Sequence, residues 1–475
     1  MALGEDETPA TSSDREAFGQ SRRLFAAPRA AVASLFDASV RALARASAWM
    51  VAAAAVNALA RLAETILLAR YLSPARFGTF VLIIAYPEAV QQFLSFRVPE
   101  AMTRYLGEFV TRTKRAEAVA VVKLFWLIDV VVAALAFVVV ALTAGFAAHH
   151  LLHDRSLGRL MIIYAAGTFA ASLDTASPTI LRVLDRFPLS FAAGSTLALT
   201  RLGVIVTVVA LGAGLEGLVW ATVAASAVAT VVAAVLALVA LAPIVWSERR
   251  APISVLRGRL NEIGKFLVST NLAGSIRLAS AKLDTLVIGL LTGPTTVSIY
   301  RVAVQLGSAP LNVSDPLLVA FYPSFVRLHT LGRFREVFAI GRRTTVILAA
   351  LAAPAVVVLA YKSDLIIDLT VGRKYEKAAL PFVILLLSVV PVVVFFWTRA
   401  GILTLGRADV VLKIVAVAAA VQLALIFALV PPLGATGGAL GLASMNLLVA
   451  GLQLAYLYRG RSNWRAAPPA DAVGP

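Results

Sequence analysis

The sequence predicts an all-α, polytopic membrane protein with twelve transmembrane helices in two six-helix bundles, related by a pseudo-two-fold axis along the membrane normal. Three observations lead to this prediction: the composition, the spacing of the apolar segments and an internal repeat. Of the 475 residues, 60% are hydrophobic and 15% are charged, whereas a soluble domain carries about 25% charged residues. The composition therefore excludes an ordinary soluble domain.

Twelve apolar segments are long enough to cross a bilayer, which needs about 20 residues per helix. They lie at roughly 47–69, 77–98, 118–146, 158–179, 190–211, 217–243, 265–291, 296–322, 343–361, 379–403, 410–430 and 437–458. The connections between them are shorter than the roughly 40 residues that an independent module needs. We therefore expect a six-helix lobe at 47–243, a cytoplasmic linker at 244–264 and a second six-helix lobe at 265–459. The flanking segments 1–46 and 460–475 are expected to be cytoplasmic tails, the first partly disordered, with an interfacial helix as one alternative.

The distribution of basic residues predicts the orientation. The chain has 43 Lys and Arg against 26 Asp and Glu, a formal net charge of +17. Most of the basic residues fall in segments on the same side as the N-terminus, and cytoplasmic loops are enriched in Lys and Arg. Both termini are therefore expected on the cytoplasmic side of the inner membrane. Because the excess charge reports topology, no nucleic-acid partner is expected.

An internal repeat appears when the chain is shifted by 220 residues. The matching polar or turn residues are Glu64 and Asp284, Thr65 and Thr285, and Pro74 and Pro294. Six predicted helices separate the copies, so both halves have the same orientation and their axis runs along the membrane normal. A cavity between two such halves is where a transporter holds its substrate.

Ionisable residues at membrane depth are costly and usually face a cavity or a partner. Predicted basic residues at depth outnumber the acids that could pair with them, so we expect an anionic ligand. Arg suits bidentate contact with phosphate, which favours a diphosphate. The candidate ligands are Arg61, Arg277, Arg201, Lys282, Arg301 and Arg399; candidate coupling or cavity acids are Glu64, Asp284 and Glu88; candidate polar cavity residues are Asn57, Gln91 and Ser280.

Two alternatives stay open for these residues. They could form ion pairs that fix helix packing, and Arg61 could neutralise Glu64 three residues later on the same helix. The acids could bind H⁺ or Na⁺ for coupling, or could act only as salt-bridge partners.

No feature of the sequence indicates catalysis. There is no cysteine, no phosphate-binding loop of the GxxxxGK type and no nucleophile with an adjacent base. The outer-loop cluster of His149, His150, His153 and Asp154 is interpreted as a solvated loop edge, with a divalent-cation site or a pH sensor as the alternative. We therefore expect no metal, no cofactor and no enzymatic activity.

Four short segments have a recognisable pattern: LARYLSPARFGTF (68–80), DTLVIGLLTGPTTVSIYRVA (284–303), VGRKYEKAALPFVILLLSVVP (371–391) and PPLGATGGALG (431–441). In this order they resemble the polysaccharide exporter and O-antigen flippase family of the multidrug/oligosaccharidyl-lipid/polysaccharide (MOP) flippase superfamily. The resemblance covers roughly residues 47–459. One departure is Ser298, where the family commonly has Gly, as this chain has at Gly78; we expect it to affect local turn geometry only.

The resemblance implies an alternating-access flippase that moves polyprenyl-diphosphate-linked oligosaccharide to the outer leaflet for cell-surface polysaccharide synthesis. In the family, basic residues of the first helix of each lobe line a cationic cavity, and Arg61 and Arg277 fall on those helices. The implied partners are the lipid-linked oligosaccharide and membrane lipids, with H⁺ or Na⁺ as candidate coupling ions and a glycan polymerase and glycosyltransferases as candidate protein partners. The alternative is a cation-coupled multidrug exporter of the same fold, which would favour an acidic cavity.

Overall fold

The computed structural model describes residues 48–95, 98–172, 176–248 and 250–459. Side chains are described in these ranges except at 244–247, 268–282, 312–320, 323 and 334. The expected tails at 1–46 and 460–475 lie outside the described residues, and Arg277, Ser280 and Lys282 lie outside the described side chains. The helices from residue 50 onward form one compact unit.

All regular secondary structure of the described residues is helical. The helices are α1 (Ala48–Tyr71), α2 (Pro74–Leu94), α3 (Val98–Thr111), α4 (Arg115–Leu152), α5 (Gly158–Ser172), α6 (Ser177–Val183), α7 (Phe187–Leu211), α8 (Gly214–Glu248), α9 (Leu260–Thr292), α10 (Pro294–Gly307), α11 (Leu311–Thr330), α12 (Phe334–Tyr361), α13 (Ser363–Thr370), α14 (Ala379–Val394), α15 (Trp397–Thr404), α16 (Ala408–Leu433) and α17 (Ala435–Arg459). In the described ranges, 3₁₀ segments lie at Arg155–Leu157, Ile253–Arg259 and Arg373–Ala378.

Within the described residues, ten helical segments are long and apolar enough to cross a membrane. The two other predicted spans, 265–291 and 296–322, fall on α9 and on α10 with α11. The second of these is interrupted between Gly307 and Leu311, next to Pro310, which has no N–H to continue a helix. The chain is thus a multi-pass, all-helical membrane protein.

The two copies of the repeat have the same local structure. α1 ends at Tyr71 and α2 begins at Pro74; α9 ends at Thr292 and α10 begins at Pro294. A proline is favoured at the first helical position because its missing N–H is not needed there. We call the end of the molecule at which α1 and α9 finish the closed end.

At the closed end, α2 packs directly on α10. A Cβ atom added to Gly78 would lie 1.7 Å from the carbonyl oxygen of Pro294. The expectation that the Gly78/Ser298 difference concerns turn geometry is therefore wrong, because both residues lie inside helices. The absence of a side chain at Gly78 permits the close approach of α2 to the backbone of α10. Ser298 is fully buried in α10.

Two helix C-termini at the closed end are linked by basic side chains, in contacts that we call the capping bonds. Lys374 Nζ donates to the carbonyl oxygens of Arg70 and Leu72, at 2.8 and 2.7 Å, just where α1 ends. In return, Arg70 Nε donates to the carbonyl oxygen of Thr370 at 2.7 Å, and its Nη2 donates to that of Leu369. The last carbonyls of a helix lack partners within the helix. The capping bonds therefore join α1 of the first half to α13 of the second half.

The buried cores show where the two halves meet. One cluster at the closed end contains residues of both halves, for example Leu82 of α2 and Val302 of α10. A second cluster is built mainly from the first half, with Ile263 and Leu267 of α9 added to it, and a third is built from residues 325–457. Among the described side chains, buried apolar contacts between the halves are therefore found mainly in the cluster at the closed end.

The connection between the halves is anchored on the first half. Arg259 makes two parallel bonds to the Glu108 carboxylate of α3, at 2.9 and 3.0 Å, and also pairs with Glu262 at 3.1 Å. Tyr105 donates its hydroxyl to Glu262, and Lys123 donates to the carbonyl of Ala251 at 2.9 Å. Bidentate Arg–carboxylate pairs are geometrically specific. The segment 251–262 is thus held against α3 and α4.

This anchor predicts a pH dependence of stability. The hydrogen bonds from Arg259 hold the pKa of Glu108 below its usual value. A lowered pKa in the folded state means that the stabilisation is complete above the unfolded-state pKa of about 4.3 and is lost as the pH falls through the folded pKa. We expect Glu108→Gln to lower the melting temperature of the purified protein at pH 7, and this difference to disappear near pH 3. A difference that stays constant down to pH 3, or one matched by Glu117→Gln, would contradict this role of the charged carboxylate.

Candidate functional site

A cavity with a volume of about 190 Å³ lies between α1, α2, α7, α9 and α10. Both copies of the repeat contribute to it, so it lies where the repeat predicts a substrate cavity. Its lining residues are Arg61, Glu64, Thr65, Leu68, Phe77, Phe80, Val81, Ile84, Ala85, Glu88, Arg201, Thr285, Arg301 and Gln305. The structure therefore brings together Arg61, Arg201 and Arg301 of the predicted anion ligands, with Glu64 and Glu88 of the predicted acids.

Glu64 pairs with a residue of a different helix. Arg201 Nη2 of α7 lies 2.8 Å from Glu64 Oε1, and the two side chains are 23% and 14% exposed. Arg61, three residues before Glu64, is not the ion-pair partner of Glu64 in the structure. The alternative of a local Arg61–Glu64 pair is therefore replaced by an ion pair between α1 and α7, and Arg201 Nε is left without an acceptor.

Two arginines of the lining make no ion pair with any described carboxylate: Arg61 on α1 and Arg301 on α10. Arg61 is exposed and Arg301 is half-buried. Asp284 is near enough to Arg301 to interact electrostatically, but its oxygens are engaged elsewhere. The cavity thus presents two guanidinium groups, one from each half, that are available to an anion.

The other acids are held by hydroxyl groups. Glu88 accepts a hydrogen bond from Tyr164 at 2.8 Å. Asp284, which is buried behind the lining residue Thr285, accepts from Tyr300 at 2.7 Å and from the Thr285 backbone at 2.5 Å. Burial of a carboxylate in apolar surroundings costs less free energy when such donors bind its oxygens than when it has none.

Of the predicted residues with described side chains, Asn57, Gln91 and Arg399 do not line this cavity. Asn57 donates to the Ala53 carbonyl of its own helix at 2.8 Å. Gln91 donates to Ser172 and lines a separate, smaller space beside α4 and α5. Arg399 lies on α15, outside the residues that line the cavity. Arg277, Ser280 and Lys282 lie on α9 with side chains outside those described.

Four polar residues at or next to the cavity were not among the sequence candidates: Thr65, Thr285, Gln305 and Tyr164. Thr65 and Thr285 match each other in the repeat, so the 220-residue register was a signal that could have found them. Tyr164 and Gln305 have no comparable signal. Among the described residues, no group of three or more His, Asp or Glu could hold a metal ion.

Comparison with known proteins places the chain in a family. Residues 66–380, well over half of the chain, match the family described as polysaccharide biosynthesis protein. The chain belongs to this family. It is also similar to the inner membrane protein YghQ of Escherichia coli K12, with 25% identity over 350 residues, which cover 72% of this chain and 96% of that protein.

Solved structures share the fold at low identity. An inward-facing multidrug resistance MATE family transporter of the MOP superfamily matches with a TM-score of 0.69 and 15% identity, over 86% of this chain and 96% of that one. The lipid II flippase MurJ in an inward closed conformation matches with a TM-score of 0.65 and 13% identity, over 87% of each chain. The predicted fold, an all-α polytopic membrane protein, is thereby confirmed.

Proposed function

We propose that this chain is a non-enzymatic flippase that moves polyprenyl-diphosphate-linked oligosaccharide across the cytoplasmic membrane by alternating access. One observation carries the proposal: Arg61 and Arg301 line the same cavity from the two halves and pair with no described carboxylate. Unpaired guanidinium groups at membrane depth are costly unless an anion compensates them. A diphosphate offers several oxygens to two planar forks of donors.

The size of the cavity supports a head-group site. Its volume of about 190 Å³ is below the roughly 300–1,000 Å³ of pockets that enclose a drug-sized ligand. The diphosphate would occupy this space, while the glycan extends into water and the polyprenyl chain stays in the lipid. Membership of a polysaccharide biosynthesis family supports a substrate of this class.

The distribution of the core supports movement of two lobes, at 47–243 and 265–459. Because the halves share buried apolar side chains mainly at the closed end, separation there and closure elsewhere would exchange access to the cavity. The excess of Lys and Arg on the side of the termini supports a cytoplasmic location for both. The closed end would then face the outside in this conformation.

The alternative, a cation-coupled multidrug exporter, is favoured by the structural likeness to a MATE family transporter. The cavity charge disfavours it. Among the described residues, three arginines and two glutamates line the cavity, and one of those glutamates is already paired with Arg201. A site for cationic drugs would need the opposite balance.

The test is the double variant Arg61→Ala/Arg301→Ala. A hydrogen bond to a charged group contributes about 1.5–3 kcal/mol, so loss of one such bond at each arginine corresponds to roughly a hundredfold or greater loss of affinity. Export of the surface polysaccharide should fall by a similar order in cells that lack the native gene, at equal protein level in the membrane. The matched control is Arg76→Ala/Arg342→Ala, which removes two exposed arginines outside the cavity and should leave export unchanged.

Unchanged export in the Arg61/Arg301 variant would rule out the proposed anion site. An efflux of cationic dyes that depends on Glu64 or Glu88, with normal export of polysaccharide, would support the exporter instead.

A further inference from the structure

Arg61 and Glu64 are spaced so that they would neutralise each other on an isolated helix. Residues three apart lie on the same face of a helix, and an acid and a base at this spacing attract each other. If they paired, the part of the lining that the structure describes would lose one of its two available cations. In the structure, the Glu64 carboxylate is bound by Arg201 from α7 instead, at 2.8 Å.

Arg201 has no acidic partner in its own helix. It is the one charged residue of α7, whose sequence FPLSFAAGSTLALTRLGVIVTVVAL is otherwise apolar or neutral. A lone charge in such a helix needs a partner to be tolerated at depth. Arg201 also interacts electrostatically with Glu88 and Tyr164, so it lies at the acidic side of the cavity, where Glu64 and Glu88 are both found.

We propose that Arg201 is a positioning residue for the substrate anion: it holds Glu64 away from Arg61 and so sets the anion affinity of the cavity. The inference rests on the proposed diphosphate site. Without Arg201, the cation of the described lining that shares a helix with Glu64 is Arg61, three residues earlier. Their pairing would withdraw Arg61 from the anion, and the cavity would also have lost the positive charge of Arg201 that offsets Glu64.

The experiment measures binding of farnesyl diphosphate, a short polyprenyl diphosphate, to the full-length protein purified in detergent. Arg201→Gln should weaken binding by about tenfold, the loss of roughly one charge contact. The double variant Arg201→Gln/Glu64→Gln should bind within about threefold of the wild type, because Arg61 is available again. Arg201→Lys should also stay close to the wild type, and Glu64→Gln alone should bind more tightly.

A purely structural role for Arg201 would give a different result. Removing both members of a buried polar pair is often tolerated when removing one is not, so the double variant also guards against misfolding of the single one. If the folded double variant binds as weakly as Arg201→Gln, or if Glu64→Gln weakens binding, the positioning role is wrong.

The outcomes separate this inference from the proposed function. If the wild type does not bind farnesyl diphosphate, or if Arg61→Ala/Arg301→Ala binds it equally well, the diphosphate site and the positioning role both fail. If binding requires Arg61 and Arg301 but is unaffected by Arg201→Gln, the site stands and only the role of Arg201 is overturned.

Discussion

Gly78→Ala is expected to destabilise the protein by about 3 kcal/mol or more, at the upper end of the usual cost of overpacking. The added Cβ would lie 1.7 Å from the carbonyl oxygen and 2.4 Å from the carbonyl carbon of Pro294. These are backbone atoms, so no side-chain rotation can relieve the clash, and α2 must move away from α10. Since both helices belong to the core shared by the two halves, the whole closed end is affected.

The measurement is the melting temperature of the purified protein, followed by the loss of the monodisperse peak in size-exclusion chromatography. Gly145→Ala is the matched control, because it lies on an exposed face of α4 with nothing within 4 Å of the added Cβ. Alanine is the better helix former, so Gly145→Ala should be neutral or slightly stabilising. Equal melting temperatures for the two variants would show that the closed end tolerates separation of α2 from α10.

Lys374→Ala combined with Arg70→Ala is expected to open the closed end. Hydrogen bonds from charged groups contribute about 1.5–3 kcal/mol each. Lys374 is exposed, so we take the low end and one effective bond per residue. The combined loss of about 3 kcal/mol corresponds to roughly a hundredfold shift of the equilibrium between closed and open states.

The absence of cysteine from the chain makes this shift measurable. Ser298→Cys places a nearly isosteric thiol at a fully buried position of α10. Its rate of labelling by a membrane-impermeant maleimide should rise by one to two orders of magnitude in the Lys374/Arg70 variant, in keeping with that shift. Lys377→Ala, in the same 3₁₀ segment, is the control and should leave the rate unchanged. An unchanged rate in the double variant would mean that the capping bonds do not contribute to closure.

The fold was predictable from the sequence to a large extent because the membrane imposes a simple length rule. A segment such as 410–430 must be helical throughout, since lipid offers no partner for the backbone, and α16 is found at Ala408–Leu433. Helix breaks inside an apolar segment are harder to predict from the sequence. The segment 296–322 reads as one span, yet α10 ends at Gly307 and α11 begins at Leu311.

The site was predictable in part. Depth in the membrane selects Arg61, Arg201 and Arg301 from the sequence, and the structure places all three around one cavity. Their partners could not be assigned in the same way. Spacing favours Arg61 for Glu64, whereas α7 brings Arg201 to it at 2.8 Å. Gln91 is a polar residue at membrane depth, as expected of a cavity residue, but it binds Ser172 of α5 and does not line the cavity.

What the sequence determined by itself was the class of protein: the helical spans, the twofold repeat and an excess of cations at depth. These follow from local quantities, namely hydrophobicity summed over about 20 residues and identities compared at a fixed shift. Only the tertiary structure decided which cations are free, because an ion pair depends on the distance between side chains of helices far apart in the chain. That distance is set by packing, and at the closed end the packing depends on the missing side chain of Gly78.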